Sequence, residues 1–283
     1  MQMTEHRILS EAKAVVTGMQ NCVSDVRGWC SSRRLQLNSS KTEVMWFGSA
    51  NNLAKLTPSD MRLQVGDDVI EPVTAVRNLG VMFDSHLTMQ AHVAKTAQAC
   101  FFHLRRLRAV RNKVGQNVTT RLVCAFVLSR LDYCNAVLAG LPDATLAPLQ
   151  RVLNAAARLV LNLSPRDHIT PALRQLHWLP IRQRIDFKLC VIVHQAVTGP
   201  TPLYLRSLLT FVADRPGRVS LCSASQRDLD VPRTRLKFGE CAFSVAAPLV
   251  WSRLPSDIRD ISSTPLLKKK LKTYLFSVAY PAA

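Results

Sequence analysis

The chain has eight cysteines but no C-x-x-C pair and no tight cysteine cluster. Cys22, Cys30, Cys100, Cys124, Cys134, Cys190, Cys222 and Cys241 are scattered through apolar stretches, which argues against a disulfide framework and predicts buried, reduced thiols. G-x-S-x-G, Walker A and dinucleotide fingerprints are also missing, so hydrolase and nucleotide-cofactor functions have no support. No membrane span is expected, because the most apolar windows are broken by Arg130 with Asp132, or by Lys188 with His194. Met1–Ser10 (MQMTEHRILS) has no apolar core of a secretory signal, so the expected compartment is the cytosol or nucleus. Acidic residues are scarce: 19 Asp+Glu face 37 Lys+Arg, for a net charge of +18. That imbalance favours a polyanionic partner, nucleic acid before anionic membrane. What is plentiful is apolar surface, 48% of the residues over 283 positions, enough for a sizeable core.

Spacings of three and four at Ile8, Ala12, Val15, Met19, Val23, Val26 and Cys30 predict one face of a long first helix. A polar turn at Asn38-Ser39-Ser40 leads into Thr42–Phe47, which has strand-like content. Three short runs, 62–65, 69–73 and 79–83, suggest a small antiparallel sheet. Helical patterns follow over 86–110, 117–139, 144–161, 181–197 and 203–209, with a breaker at Gly140-Leu141-Pro142 and a linker opened by Pro165 and Pro171. Residues 210–243 weaken into short β-like pieces with Pro216, Gly217 and Pro232, and a last helix is expected over 265–276 after Ser262-Ser263-Thr264. The expected fold class is α+β and mostly helical. A small N-terminal antiparallel sheet to about residue 85 is followed by a basic helical domain, 86–165, and a mixed region, 166–283.

Gly66-Asp67-Asp68 lies between two of the short runs. Such a triplet can present two carboxylates to a pair of metal ions, and it is equally the chemistry of a hairpin turn.

LQLNSSKTE (35–43), NLGVMFD (78–84) and SRLDYCN (129–135) resemble, in order, the downstream part of non-LTR (LINE-type, jockey-like) retrotransposon reverse transcriptases. HITP (168–171), LHWLP (176–180), APLVW (247–251) and Leu254-Pro255 continue the likeness, which covers most of the chain from about residue 20. The resemblance implies a palm remnant with a primer-grip-like hairpin at Leu79, Gly80 and Val81, a thumb-like helical domain, and a C-terminal extension. In that family the catalytic carboxylates and their Mg²⁺ lie upstream of all these motifs, so Gly66-Asp67-Asp68 is in the wrong place to be the catalytic pair. The expectation is a turn, an inactive polymerase relative, and no cofactor for this chain. Lys41 matches the lysine that such polymerases hold near the leaving pyrophosphate, and it would here be vestigial.

HLRRLRAVRNK (103–113) groups Arg105, Arg106, Arg108, Arg111 and Lys113. Together with Lys95 they are the candidate phosphate contacts, the alternative being a solvated helix face with Phe101 and Phe102 in the core. Lys268, Lys269, Lys270 and Lys272 read as the solvated face of the last helix. Cys190 and His194, four residues apart, with His168 and His177 upstream, fit no compact zinc motif, and no metal is expected. The implied partner is RNA or an RNA–DNA hybrid, with self-association through exposed apolar surface near residues 8–50. The other possibilities are an incomplete gene product without selected activity, an interaction module, or an enzyme completed by a second chain.

Overall fold

The computed structural model describes residues 2–199, 201–214, 228–234 and 237–281. The fold is α+β and mostly helical, with its β structure confined to two small antiparallel hairpins near the N-terminus. The chain divides into two compact units, residues 1–92 and 93–283.

In the first unit helix α1 (Gln2–Ser32) packs against hairpin β1–β2 (Leu63–Val65, Asp68–Ile70). Val44, Leu63 and Val65 form a small buried core, with Val23, Leu37, Trp46 and Ile70 packed around it. Only part of the apolar face of α1 is covered. Ala12 is buried, but Val15, Met19, Val26 and Trp29 are exposed, so apolar surface lies open within the stretch 8–50 where it is expected. The expected strand over Thr42–Phe47 is reduced to a single parallel bridge, Val44 to Pro72, with the Val73 amide donating to the Val44 carbonyl at 2.8 Å.

The expected three-stranded sheet is instead two separate hairpins. The second joins β3 (Ala75–Asn78) to β4 (Val81–Asp84), and Asn78 pairs with Val81. Leu79 and Gly80 are therefore the two-residue connection, with φ 46° and 85°. Positive φ at both central positions is the mark of a type I′ turn, whose twist matches that of the flanking strands. Leu79 looked like strand because it is apolar, whereas β3, with Arg77 and Asn78, carries no alternation to reveal it.

Asp84 ends β4 and delays the next helix. Its Oδ1 accepts from the amides of His86 (3.1 Å) and Thr88 (2.9 Å), and its Oδ2 from Thr88 Oγ1 (3.0 Å) and the Met89 amide (2.9 Å). Leu87 and Met89 take φ of 52° and 58° within that loop, so helix α2 begins at Gln90 rather than near His86.

In the second unit α2 (Gln90–Val123) buries Val93, Ala97, Cys100, Leu104 and Leu107, a three–four spacing. Gly115, with φ 71° and ψ 175°, breaks the helix inside its span, and the Thr119 hydroxyl donates to the Gly115 carbonyl at 2.6 Å. A wider π turn, Cys124–Leu128, and a short helix, Ser129–Asp132, continue the path. After Cys134 in the left-handed region (φ 49°), Asn135–Leu138 forms a tight turn, ending the expected 117–139 helix early.

Helix α3 (Asp143–Leu161) is amphipathic and closes at left-handed Asn162. The stretch opened by Pro165 and Pro171 contains a helix, α4 (Ile169–Gln175), with Pro171 in its first turn, where a missing amide costs nothing. Helix α5 (Ile181–Thr198) is the hub, packed against α3, the Asn135–Leu138 turn, α6 (Phe243–Ser252) and α7 (Thr264–Ala279). It buries Ile185, Leu189, Val193 and Ala196, each aliphatic side chain of Val or Leu size contributing about 1.5–3 kcal/mol by removal from water. Of the β-like pieces expected over 210–243, residues 215–227 and 235–236 lie outside the described residues. The remainder shows a single bridge, Phe211 to Leu229, and short helical turns at Val212–Asp214 and Lys237–Cys241. Among the described residues no helix is long and apolar enough to cross a membrane.

Candidate nucleic-acid interface

A helical projection of α2 sorts the predicted cations. At 100° per residue Lys95, Phe102, Arg106 and Lys113 fall on one stripe, and Phe101, Arg105 and Arg108 fall on the neighbouring one. All seven are exposed. Among the described residues Lys95, Arg105, Arg108 and Lys113 make no hydrogen bond or ion pair, so their charges face solvent.

Phe101 and Phe102 are 38% and 47% exposed, which overturns their alternative placement in the core. The Arg106 guanidinium sits over the Phe102 ring at 5.6 Å, a cation–π contact. The π turn brings Phe126, itself exposed, against His103, with the rings stacked at 5.4 Å and 18°. Burial, reinforced by the positive charges of Arg130 and Arg106, holds His103 below the ordinary imidazole value and favours its neutral form. The outcome is a surface on which aromatic rings alternate with guanidinium groups. Sequence reasoning singled out the arginines of 103–113 and missed Phe126 and Arg130, which the run Cys124–Leu131, with its single cation, gave no local signal to place here.

Arg111 does not belong to this surface. It lies on the stripe of Cys100, Leu104 and Leu107, and it donates from Nε to the Leu159 carbonyl (2.6 Å) and from Nη2 to that of Val160 (3.3 Å). It thereby caps the C-terminal end of α3, where a cation is favoured by the helix dipole. Its distance of four residues from Leu107 already placed it on the buried side.

In the first unit Leu79 is 82% exposed at the tip of the β3–β4 turn and Gly80 is exposed beside it. Val81 is 3% exposed, so it supports the hairpin from inside and is not available as a contact. Lys41 ends the 3₁₀ turn Ser39–Lys41 and is exposed. The Ser39 hydroxyl donates to Asp68 Oδ2, which joins this turn to the β1–β2 hairpin, a link the sequence did not reveal.

Gly66 and Asp67 are the two-residue connection between β1 and β2, with positive φ at Gly66 alone (66°), the pattern of a type II′ turn. The end of the Arg27 side chain lies where a Cβ on Gly66 would be, but that flexible guanidinium can shift, so it is the positive φ that calls for glycine here. Asp67 and Asp68 are exposed, Asp68 is engaged by Ser39, and among the described residues no three His, Cys, Asp or Glu side chains gather as metal ligands. The carboxylates present do not fit a two-metal centre, which needs ligands from more than one strand holding ions about 3.5–4 Å apart.

His194 is fully buried, with Nε2 at 2.8 Å from the Ile261 carbonyl and Nδ1 at 3.3–3.4 Å from the hydroxyls of Thr264 and Thr198. Cys190 is fully buried, and burial pushes its thiol far above the usual range. Both side chains are accounted for as core.

A second feature lies in the same unit. The stretches Ser129–Asn135 and Leu176–Pro180 meet at a cavity of about 490 Å³, whose lining includes Asp132, Asn135, His177, Trp178, Arg184 and Phe187. Arg184 Nη1 donates to both Asp132 carboxylate oxygens (2.9 and 2.8 Å), and its Nε donates to the Leu179 carbonyl (2.8 Å), so this guanidinium ties the two stretches together. Tyr280 donates to the Trp178 carbonyl at 2.8 Å, and burial, only partly opposed by Arg184, pushes its phenol up to about 12.

Comparison with protein-family models, with curated proteins and with solved structures returns no match.

Proposed function

We propose that this chain is a nucleic-acid-binding relative of non-LTR retrotransposon reverse transcriptases, corresponding to the end of the palm, the thumb and the C-terminal extension, and that it does not polymerise by itself. The observation that carries this reading is the exposed α2 surface, where Arg105, Arg108, Lys95 and Lys113, unpaired among the described residues, flank exposed aromatic rings. Unpaired cations release counterions from a phosphate backbone, and exposed rings stack on bases irrespective of sequence. RNA or an RNA–DNA hybrid is the proposed partner, and the exposed Leu79 turn is the second proposed contact. Self-association through the uncovered side of α1 belongs to the same proposal.

The test is binding of a labelled RNA–DNA primer–template across a salt series, with an Arg105→Ala/Arg106→Ala/Arg108→Ala variant alongside. The proposal expects the log K against log salt slope to flatten by about two to three units, at roughly 0.9 per lost phosphate contact. An unchanged slope favours the competing view of a product whose charge is inherited and unused. Primer extension with Mg²⁺ or Mn²⁺ that vanished in Asp67→Ala/Asp68→Ala would overturn the inactive assignment.

A further inference from the structure

The sequence carries no Asp or Glu from residue 85 to residue 131, a stretch that holds α2, the π turn and the start of the short helix after it. A solvated helix face commonly sets acidic side chains three or four residues from its cations. Here none stands at that spacing, and the first acidic residue after the gap, Asp132, is engaged by Arg184. The exposed cations of this stretch are thus left for an anion from outside. Two phenylalanines lie among them, joined by one imidazole. Phe102 meets His103 edge to face at 5.5 Å and 76°, and Phe126, from the π turn, stacks on His103 at 5.4 Å and 18°. Single exposed phenylalanines are ordinary on a protein surface, whereas these are gathered into one row from two segments of the chain. Arg106 stands over Phe102 at 5.6 Å. Arg130 is exposed, has no hydrogen bond or ion pair among the described residues, and its charge, like that of Arg106, reaches His103. A guanidinium from each segment therefore flanks the row.

We infer that this row is a site for an unpaired strand, one base stacking on Phe126 and the neighbouring phosphates resting on Arg106 and Arg130. In a duplex the bases stack on one another and present sugar and phosphate to a protein, so rings set between guanidinium groups meet only charged backbone. An unpaired base offers them a π face, and its strand offers the phosphates on either side. Phe126 is 43% exposed even with His103 against it, which leaves ring surface for that base. Ring stacking does not read the 2′-hydroxyl, so the site takes a single strand of RNA or of DNA. The inference rests on the nucleic-acid reading and narrows it, assigning this surface to the unpaired part of a primer–template and not to its hybrid duplex.

The test uses one labelled RNA strand of mixed sequence without self-pairing, alone and annealed to its complementary DNA, with binding to the full chain followed by fluorescence anisotropy. Phe126→Leu keeps the apolar bulk and removes the ring, Phe126→Trp enlarges the ring, and Arg130→Gln removes the charge. Phe126→Leu is expected to weaken the single strand about five- to 150-fold, the span of one base–ring contact, and to leave the blunt hybrid within about twofold. Phe126→Trp should hold the single strand at least as tightly as the natural chain. Arg130→Gln should lower the salt slope for the single strand by about 0.7, and being on the surface it tests the same site even if Phe126→Leu fails to fold. Equal losses for strand and hybrid, or no loss for either with both Phe126→Leu and Arg130→Gln, overturn the inference. So does a change of oligomeric state by light scattering in Phe126→Leu with RNA binding intact, which assigns the rings to a protein contact. In each of these cases the general reading survives if the triple α2 arginine variant still flattens the salt slope, and both fail if it does not.

Discussion

Arg111 donates to the carbonyl of Leu159 across 48 residues of sequence, and this one contact sets it apart from the exposed cations in the same run. Its second bond, to Val160, completes the closure of α3. Arg111→Ala is expected to lower the unfolding free energy by about 1–3 kcal/mol, the worth of charge-assisted bonds to carbonyls that would be left bare. Arg108→Ala, exposed and unpaired, should stay within about 0.5 kcal/mol. Urea unfolding of the two variants measures the contrast, and equal effects would remove Arg111 from its capping role.

The aromatic rings and the arginines of the α2 surface make different demands on salt. Phe102→Ala and Phe126→Ala should each weaken binding of single-stranded RNA by about 1–3 kcal/mol, since each removes a stacking platform. Neither should change the salt dependence, because a ring releases no counterion. A loss of slope in the phenylalanine variants would mean that they act by displacing Arg106 or Arg130 instead.

The Leu79-Gly80 turn stores strain that substitution can release or increase. Left-handed φ costs a side-chain-bearing residue about 1–2 kcal/mol, and asparagine tolerates it better than leucine. Leu79→Asn is therefore expected to stabilise the protein by up to about 1 kcal/mol, and Gly80→Ala, at φ 85°, to destabilise it by about as much. The urea midpoints decide it. A destabilising Leu79→Asn would show that the leucine side chain contributes more than its backbone costs.

Two groups around the second hairpin make its stability fall with acid. Burial lowers the imidazole of His92, whose Nδ1 accepts from the Met82 amide at 3.4 Å. Burial raises the carboxyl of Asp84, but the bonds from Thr88, Met89 and His86 outweigh it and leave it below the ordinary 3.8. Both folded-state values lie below their unfolded ones. The stabilisation from each is therefore complete above the unfolded value, near 6.5 for His92 and 3.8 for Asp84, and is lost as pH falls through the lowered value. His92→Leu should flatten the urea midpoint against pH below 6.5, and Asp84→Asn should flatten it below 3.8. An unaltered profile in either variant would assign that part of the acid sensitivity elsewhere.

The helices were the most legible part of the chain because burial there follows a period. The predicted 181–197 and 265–276 segments are observed as Ile181–Thr198 and Thr264–Ala279. Helix α6 was not anticipated, since its apolar residues surround Pro248, and an interior proline reads as a break. The hairpins were only half legible: Gly66-Asp67 announced itself by turn chemistry, while Leu79 at positive φ violates the preference by which turns are recognised. Among site residues, the exposed arginines followed from composition and position. The accessibility of Phe101 and Phe102, the link between Arg184 and Asp132, and the capping by Arg111 depend on tertiary neighbours that local pattern does not encode.

Gly115 carries a consequence for scale. The unbroken stretch of α2 from Lys95 to Lys113 is about 27 Å long at 1.5 Å per residue, equal to about eight nucleotide steps at 3.4 Å each. Beyond it the left-handed glycine turns the helix aside, and the regular spacing of charge ends with it. On the proposed reading, the length of strand that this stripe can follow is set by a residue that bears no charge.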